Sequence, residues 1–197
     1  LKAKELYAPK DILDRYILAK TRDLVKTLTE ELDACDIVSA CAAVADFLEI
    51  MNNWYIRRSR ARFWDVSQGT EAFDTLYTVL VTLSKALAPL LPLTCEYIYR
   101  ALTGGESVHL TDYPDYNAFA ADDKLVADMD FVRAVCSTAK AIREDHKLRN
   151  RLPLASMTVA GAKTGALNAY AELIEDEVNV KNLILAQNVE ELANQTL

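Results

Sequence analysis

Residues 36–64 read DIVSACAAVADFLEIMNNWYIRRSRARFW, and this stretch decides the fold that we predict. Its apolar side chains recur at alternating steps of four and three residues, which is the spacing of one face of an α-helix. Asp36 is suited to cap the start of this helix. The pattern runs to about Trp64, so we predict one long helix of roughly eight turns. Its apolar face must pack against other helices, which favours a helical bundle.

The rest of the chain supports that prediction. Helical patterns cover residues 11–34, after a cap at Asp11, and residues 69–87, 94–102 and 123–152. Beyond Pro153 the pattern changes to a strand, a helix and a second strand, over residues 157–159, 166–178 and 180–185. The predicted fold is mainly α: an antiparallel bundle of about five helices over residues 1–152, and a small C-terminal α+β appendage over residues 153–197.

Composition excludes several classes of protein. Apolar residues make up 51% of the 197 residues, enough for a core, and the net charge of −7 excludes a generically basic nucleic-acid binder. No run of about 18 apolar residues predicts a membrane span, and no secretion signal precedes the first helix. We expect a cytoplasmic, monomeric protein without membrane contact. The four cysteines lack metal-ligand spacing, so we predict no metal site and four small buried apolar side chains, at Cys35, Cys41, Cys95 and Cys136.

Two segments of this acidic chain are basic, residues 57–62 and residues 133–151. On a helical wheel Arg57, Arg60 and Trp64 lie opposite the apolar stripe, where they should face solvent. A guanidinium suits phosphate, and an exposed indole can stack on an unpaired base. We therefore predict that they bind RNA. The alternatives are a solvated face with arginines paired to acids such as Glu49, and an indole that covers the end of the bundle.

We predict a structural role for the other two arginines of this segment. Arg58 and Arg62 continue the apolar stripe toward the core, so we predict that their stems pack there and that their charged heads meet carboxylates of a neighbouring helix. With Trp54 they are predicted to be structural.

The second basic segment predicts a row of cations along one helix. Five cations follow one another at steps of 7, 3, 4 and 4 residues, which on one helix gives a stripe of roughly 27 Å. Such a row matches a phosphate backbone better than a small ligand. The alternative is an ordinary polar face that is basic by chance. The predicted RNA-binding residues of this stripe are Arg133, Lys140, Arg143, Lys147 and Arg151.

Catalytic signatures are missing from these 197 residues. The two histidines are isolated, and no G-x-S-x-G, P-loop or G-x-G-x-x-G motif occurs. We predict no catalytic residue.

The string NWYIRRSRARFW at residues 53–64 resembles the anticodon-binding domain of the isoleucyl-tRNA synthetases, a class I aminoacyl-tRNA synthetase family. Further resemblances follow in order from about residue 7 to residue 186. They are LDRYILAKTRDLV (13–25), FDTLYTVLVTLSKALAPLLPLTCEYIYRAL (73–102), VHLTDYPD (108–115), LRNRLPL (148–154) and EDEVNVKNL (175–183). The family commonly has E-L-N-V-K in the last segment, where this chain has Val178 in place of Leu.

The resemblance implies a ligase of protein biosynthesis that uses ATP and magnesium to join isoleucine to its tRNA. The family's H-I-G-H and K-M-S-K-S motifs are not in this sequence, so the resemblance implies a fragment without catalytic activity of its own. Its implied partners are the anticodon stem-loop of an isoleucine tRNA and the catalytic domain of the same enzyme. No cofactor is expected in the fragment itself, although some members carry zinc further along the chain.

Two other functions stay open at this stage. A helical protein-interaction module would use the basic stripe to dock on an acidic partner or on its own catalytic domain. The equivalent domain of a valyl-type class I synthetase is the other alternative, although its arginine run differs.

Overall fold

The computed structural model describes residues 3–65 and 69–187. The protein is mainly α with a small α+β part, which confirms the predicted fold class. It divides into two compact units, one up to Asp123 and the other from Lys124 onward.

The first unit begins with helix α1, Ile12–Asp33. The Asp11 carboxylate caps it, because one of its oxygens accepts the N–H groups of Leu13 at 2.8 Å and Asp14 at 3.3 Å. Such a cap satisfies backbone donors that have no partner inside the helix. The apolar face of α1 is fully buried around Tyr16 and Ile17, and the helix packs against both α2, Ile37–Ile50, and α4, Glu71–Ala86.

The predicted long helix is not one uninterrupted α-helix. Helix α2 starts at its Asp36 cap, a π-helical segment follows at Met51–Ile56, and α3, Arg60–Trp64, comes after a turn at Ser59. The buried positions explain the change, because Phe47, Met51, Tyr55 and Ser59 lie four residues apart. At about 3.6 residues per turn that line would drift around the helix. The wider π turn keeps it facing the core.

Helix α5, Pro92–Thr103, follows α4 and packs against it. Pro92 occupies its first turn, where a missing N–H costs nothing. Gly104 ends the helix with a φ of 71°, in the left-handed region that glycine adopts readily. The loop that follows is held to α5 by Glu96. The carboxylate of Glu96 accepts hydrogen bonds from the Ser107 hydroxyl at 2.9 Å and the Val108 N–H at 2.8 Å. This loop contains two short 3₁₀ turns, Val108–Leu110 and Tyr116–Ala118.

The second unit contains most of α6, Asp123–Asp145, and a small parallel sheet. Strand β1, Met157–Ala160, pairs with β2, Leu183–Ala186, so that Met157 lies opposite Leu183. A 3₁₀ segment, Thr164–Tyr170, and helix α7, Ala171–Val178, connect the strands. The prediction of this β–α–β order is confirmed, although β2 starts three residues later than expected. Residues 188–197 of the predicted appendage lie outside the described residues.

Helix α6 ends eight residues before Pro153, so the predicted end of the fifth helix is wrong. Lys147 has a φ of 55°, which an α-helix does not contain. The chain passes from the first compact unit to the second at the start of α6, and the predicted domain boundary at residue 152 stays a prediction. Side chains of α6 bond to α7 and to the residue after it, and this explains why the helix groups with the sheet.

The cysteine prediction is half correct. Cys95 and Cys136 are buried, whereas Cys35 and Cys41 are exposed, and all four are free thiols. Cys35 lies in the turn after α1 with a φ of 57°, and Cys41 is on the outer face of α2. No helix in the described part of the chain is both long and apolar enough to cross a membrane.

Candidate nucleic-acid interface

Three predicted RNA-binding side chains lie on the outside of the first unit. Arg57, Arg60 and Trp64 are exposed, and Trp64 is the most exposed of them at 83% of its surface. They follow the exposed positions Glu49 and Asn53 along the same helical face. The face is as the wheel predicted, and contact with RNA stays a prediction.

The helix itself orients one of these guanidiniums. Arg57 Nε donates to the carbonyl oxygen of Asn53 at 2.9 Å, one turn earlier. Arg60 forms no hydrogen bond or ion pair with any residue of the ranges 3–65 and 69–187. Its guanidinium therefore keeps its planar set of donors for a phosphate, which can accept two parallel hydrogen bonds from it.

Arg62 holds this segment to α1. Its guanidinium bonds to both carboxylate oxygens of Asp14, at 3.0 and 2.5 Å, and lies 3.0 Å from Asp11 Oδ1. Tyr55 also donates to Asp14, at 2.7 Å. A carboxylate of a neighbouring helix is the partner type that the sequence predicts. Burial raises the pKa of the Asp14 carboxyl, against the lowering effect of its bonds to Arg62 and Tyr55.

Trp54 and Arg58 lie between the exposed face and the core. The Trp54 side chain is 5% exposed, and the Arg58 guanidinium carbon lies 5.3 Å from the centre of its ring. A cation at that distance from an aromatic face is attracted by the ring quadrupole. The two side chains cover each other, and this is a structural contact.

In the second unit the predicted cationic stripe is not formed. Arg133 lies on α6 beside Asp130, 3.4 Å away. Lys140 forms an ion pair with Glu177 of α7, whose side chain is only 3% exposed. Lys147 and Arg151 lie beyond the end of α6, so the five residues do not share one helical face.

Arg143 is the clearest departure from the predicted stripe, because it is buried, with 3% of its surface exposed. Its guanidinium donates to four backbone carbonyl oxygens, those of Arg149 at 3.2 Å, Leu152 at 2.9 Å, Val178 at 2.7 Å and Asn179 at 3.0 Å. The spacing of residues predicted a cation on the surface, whereas these donors are used inside the protein.

The residues after α6 form a second exposed group of cations. We call residues 147–151 the basic turn. Lys147, Arg149 and Arg151 are exposed, and within the described residues their side chains form no hydrogen bond or ion pair. Two exposed acids, Glu144 and Asp145, precede them at the end of α6. An unpaired group of cations of this kind is suited to phosphate.

The model of one protein family, described as the anticodon-binding domain of tRNA ligase, matches residues 14–158. This chain belongs to that family. The match includes the arginine segment at residues 57–64 and the basic turn, so both exposed groups of cations lie within the family domain.

Several isoleucine–tRNA ligases are similar to the chain over most of its length. The ligase of Corynebacterium efficiens is 55% identical over 181 residues, which is 91% of this chain and 17% of that protein. The ligase of Leifsonia xyli is 53% identical over 94% of the chain, and that of Mycobacterium leprae is 48% identical over 94%. The chain spans about one sixth of the length of these relatives, 17–18%.

Sequence reasoning left two residues of this region without a role. Arg149 is as exposed as its neighbours, and its position in the basic segment was a sufficient signal. Asn179 bonds to the basic turn from the end of α7, and only its type, common in the left-handed region, pointed to it. Among the described residues no group of three or more His, Cys, Asp or Glu side chains is placed to hold a metal ion.

Proposed function

We propose that this chain binds the anticodon stem-loop of an isoleucine-accepting tRNA, as part of an isoleucine–tRNA ligase. The observation that carries the proposal is the family match over residues 14–158, which includes two groups of exposed cations in an otherwise acidic chain. The relatives that we compared bear the name isoleucine–tRNA ligase, and this favours isoleucine over the valyl-type alternative.

The proposed roles follow from exposure and chemistry. Arg57 and Arg60 contact phosphates, and Trp64 stacks on an unpaired base of the loop. In the second unit, phosphate contacts come from the basic turn. Arg133 would have to exchange its ion pair with Asp130 for a phosphate in order to contribute. Arg143 and Lys140 act inside the protein in this proposal, because their charged groups are already bonded there.

The remaining parts of the proposal concern the whole enzyme. It charges tRNA with isoleucine at the expense of ATP, with magnesium, in the cytoplasm and as a monomer. The ATP site and any zinc site would lie outside these 197 residues, and the catalytic domain of the enzyme would be a second partner.

Titration of an RNA hairpin with the protein tests the central proposal. The hairpin carries the anticodon stem and loop of an isoleucine tRNA, and fluorescence anisotropy is measured at several salt concentrations. We expect saturable binding that weakens steeply with salt, because each phosphate contact releases counterions. A valine hairpin is the matched RNA. Equal binding of both would leave the isoleucine assignment without support, and no saturable binding would favour the protein-docking alternative.

Variants separate the two proposed kinds of contact. Replacement of Arg57 and Arg60 by Ala should reduce the slope of log K against log salt by about 1–2. Trp64→Ala should weaken binding by about 1–3 kcal/mol and leave the slope unchanged, since stacking releases few ions. Lys26→Ala, an exposed cation of α1 outside both segments, is the control and should change neither.

A further inference from the structure

Two residues, the buried Arg143 and the partly exposed Asn179, hold the backbone of the basic turn. Helix α6 is followed by Lys147 and helix α7 by Asn179, and both have left-handed backbone angles, with φ values of 55° and 56°. Both helices therefore end abruptly, and hydrogen bonds from Arg143 and Asn179 join the two helix ends.

Arg143 supplies the first set of these hydrogen bonds. We call the contacts of Arg143 and Asn179 between the basic turn and the end of α7 the joint. The last carbonyl groups of a helix have no partner inside it, and the end carries a partial negative charge. The guanidinium of Arg143 donates to Val178 and Asn179 at the end of α7, and to Arg149 and Leu152 on the other side. One buried cation thus holds Arg149, in the middle of the basic turn, and Leu152, directly after the turn, against the end of α7.

Asn179 supplies the second set of hydrogen bonds. Its side-chain Nδ2 donates to the carbonyl oxygen of Asn150, in the middle of the basic turn, at 3.2 Å. Its own carbonyl oxygen accepts the N–H of Leu154 at 3.1 Å. Asparagine tolerates the left-handed region better than most residues. Asn179 can therefore end α7 with its backbone and bond to the basic turn with its side chain.

We propose that Asn179, together with Arg143, positions the basic turn for its phosphate contacts, an inference that rests on the proposed function. The exposed side chains of Lys147, Arg149 and Arg151 repel one another, and a free loop would let them separate. A fixed backbone holds them ready, so that less conformational freedom is lost when RNA binds. Asn179 is a positioning residue, because it acts through the turn and contacts no RNA itself.

The test compares two asparagines of the 197-residue chain that form the same kind of bond. Asn179→Gly removes the bond to Asn150 but keeps a residue that adopts left-handed angles easily. The matched control is Asn182→Gly, since the Asn182 side chain donates to the carbonyl of Ala155, also at 3.2 Å, outside the basic turn. Binding of the isoleucine RNA hairpin and its salt slope are measured for both, after circular dichroism shows that they are folded.

We expect Asn179→Gly to weaken binding by about three- to tenfold and to reduce the salt slope by about one phosphate contact. Asn182→Gly should change neither. The decisive comparison places Asn179→Gly in a protein in which Lys147, Arg149 and Arg151 are all Gln. The effect of Asn179 should fall below about twofold there, because a positioning effect needs the cations that it positions.

The outcomes separate this inference from the proposed function. If the unaltered protein binds the hairpin but Asn179→Gly binds it equally well, only the inference is overturned. An equal loss in the triple Gln protein would also overturn it, because the role of Asn179 would then be general stability. If the unaltered protein does not bind RNA, both fail. Should Asn179→Gly not fold, Asn179→Asp replaces it, since Asp tolerates left-handed angles and cannot donate to Asn150, and Asn182→Asp is then the control because it adds the same charge.

Discussion

The arginine segment of the first unit and the basic turn of the second are built alike, but the arginine that is fixed in each is held by different groups. Each region combines one fixed guanidinium with exposed cations around it. Arg62 is balanced by the carboxylate of Asp14, whereas Arg143 is held by four carbonyl dipoles of the backbone. The comparison teaches that a carboxylate partner can be replaced or titrated, while backbone carbonyls cannot.

The largest expected effect is the loss of the buried guanidinium of the second unit. Arg143→Met should lower the free energy of unfolding by about 3 kcal/mol, since buried carbonyl groups lose their donor and a helix end loses its cation. Denaturant unfolding measures this. Arg149→Met, an exposed neighbour, should stay within about 0.5 kcal/mol of the unaltered protein. Equal effects of the two substitutions would contradict the joint at Arg143.

Removal of Arg62 in the first unit should lower the free energy of unfolding by less than removal of Arg143, and a second substitution should restore part of the loss. Arg62→Met should cost about 2 kcal/mol, less than a fully buried pair, because a quarter of the Arg62 side chain is exposed. Addition of Asp14→Asn should recover at least half of the loss, since it removes the carboxylate that was left behind. A double-mutant cycle by denaturant unfolding checks this, and additive losses would show that the two groups are not coupled.

Lys140 and Arg151 sharpen the comparison within the second unit. Lys140→Met should lower the free energy of unfolding by about 1 kcal/mol, because the nearly buried carboxylate of Glu177 loses this ion pair, and should leave the salt slope of RNA binding unchanged. Arg151→Met should do the reverse. A reduced salt slope in Lys140→Met would mean that this lysine also contacts phosphate.

The smallest expected effect is a pH dependence of stability. We expect it from Asp14, the carboxylate partner of Arg62 in the first unit, and not from the carbonyl partners of Arg143 in the second. Because the pKa of Asp14 is raised in the folded protein, the folded state takes up this proton at a higher pH than the unfolded chain does. The contribution of Asp14 to stability is therefore complete below the pKa of the unfolded chain, and is lost as the pH rises through the folded pKa.

We accordingly expect the difference in unfolding free energy between the unaltered protein and Asp14→Asn to move in favour of the unaltered protein on acidification. Urea unfolding at a series of pH values measures it. A movement in the other direction would show that the bonds from Arg62 and Tyr55 outweigh burial. Arg143→Met should show no corresponding titration, because carbonyl groups do not take up protons in this range.

The sequence predicts those features that depend on residue type and spacing within a single helix. The caps Asp11 and Asp36 and the outward face of Arg57 and Arg60 follow from residue type and period. Arg143 could not be placed in this way, because its partners are carbonyl groups that every residue carries. The end of α6 was missed for a related reason, since Lys147 is not a residue type that predicts left-handed angles.

The π-helical segment Met51–Ile56 makes the number of residues between α1 and the arginine segment as important as their chemistry. Each residue of a regular helix advances it by about 100°. The wider π winding accommodates one residue of that number, so a deletion here that restored regular winding would leave Arg57, Arg60 and Arg62 pointing much as they do, whereas a deletion from the regular helix α2 would turn them by about 100°. Loss of a single codon from α2 would thus be more harmful to this face than loss of one from the π-helical segment.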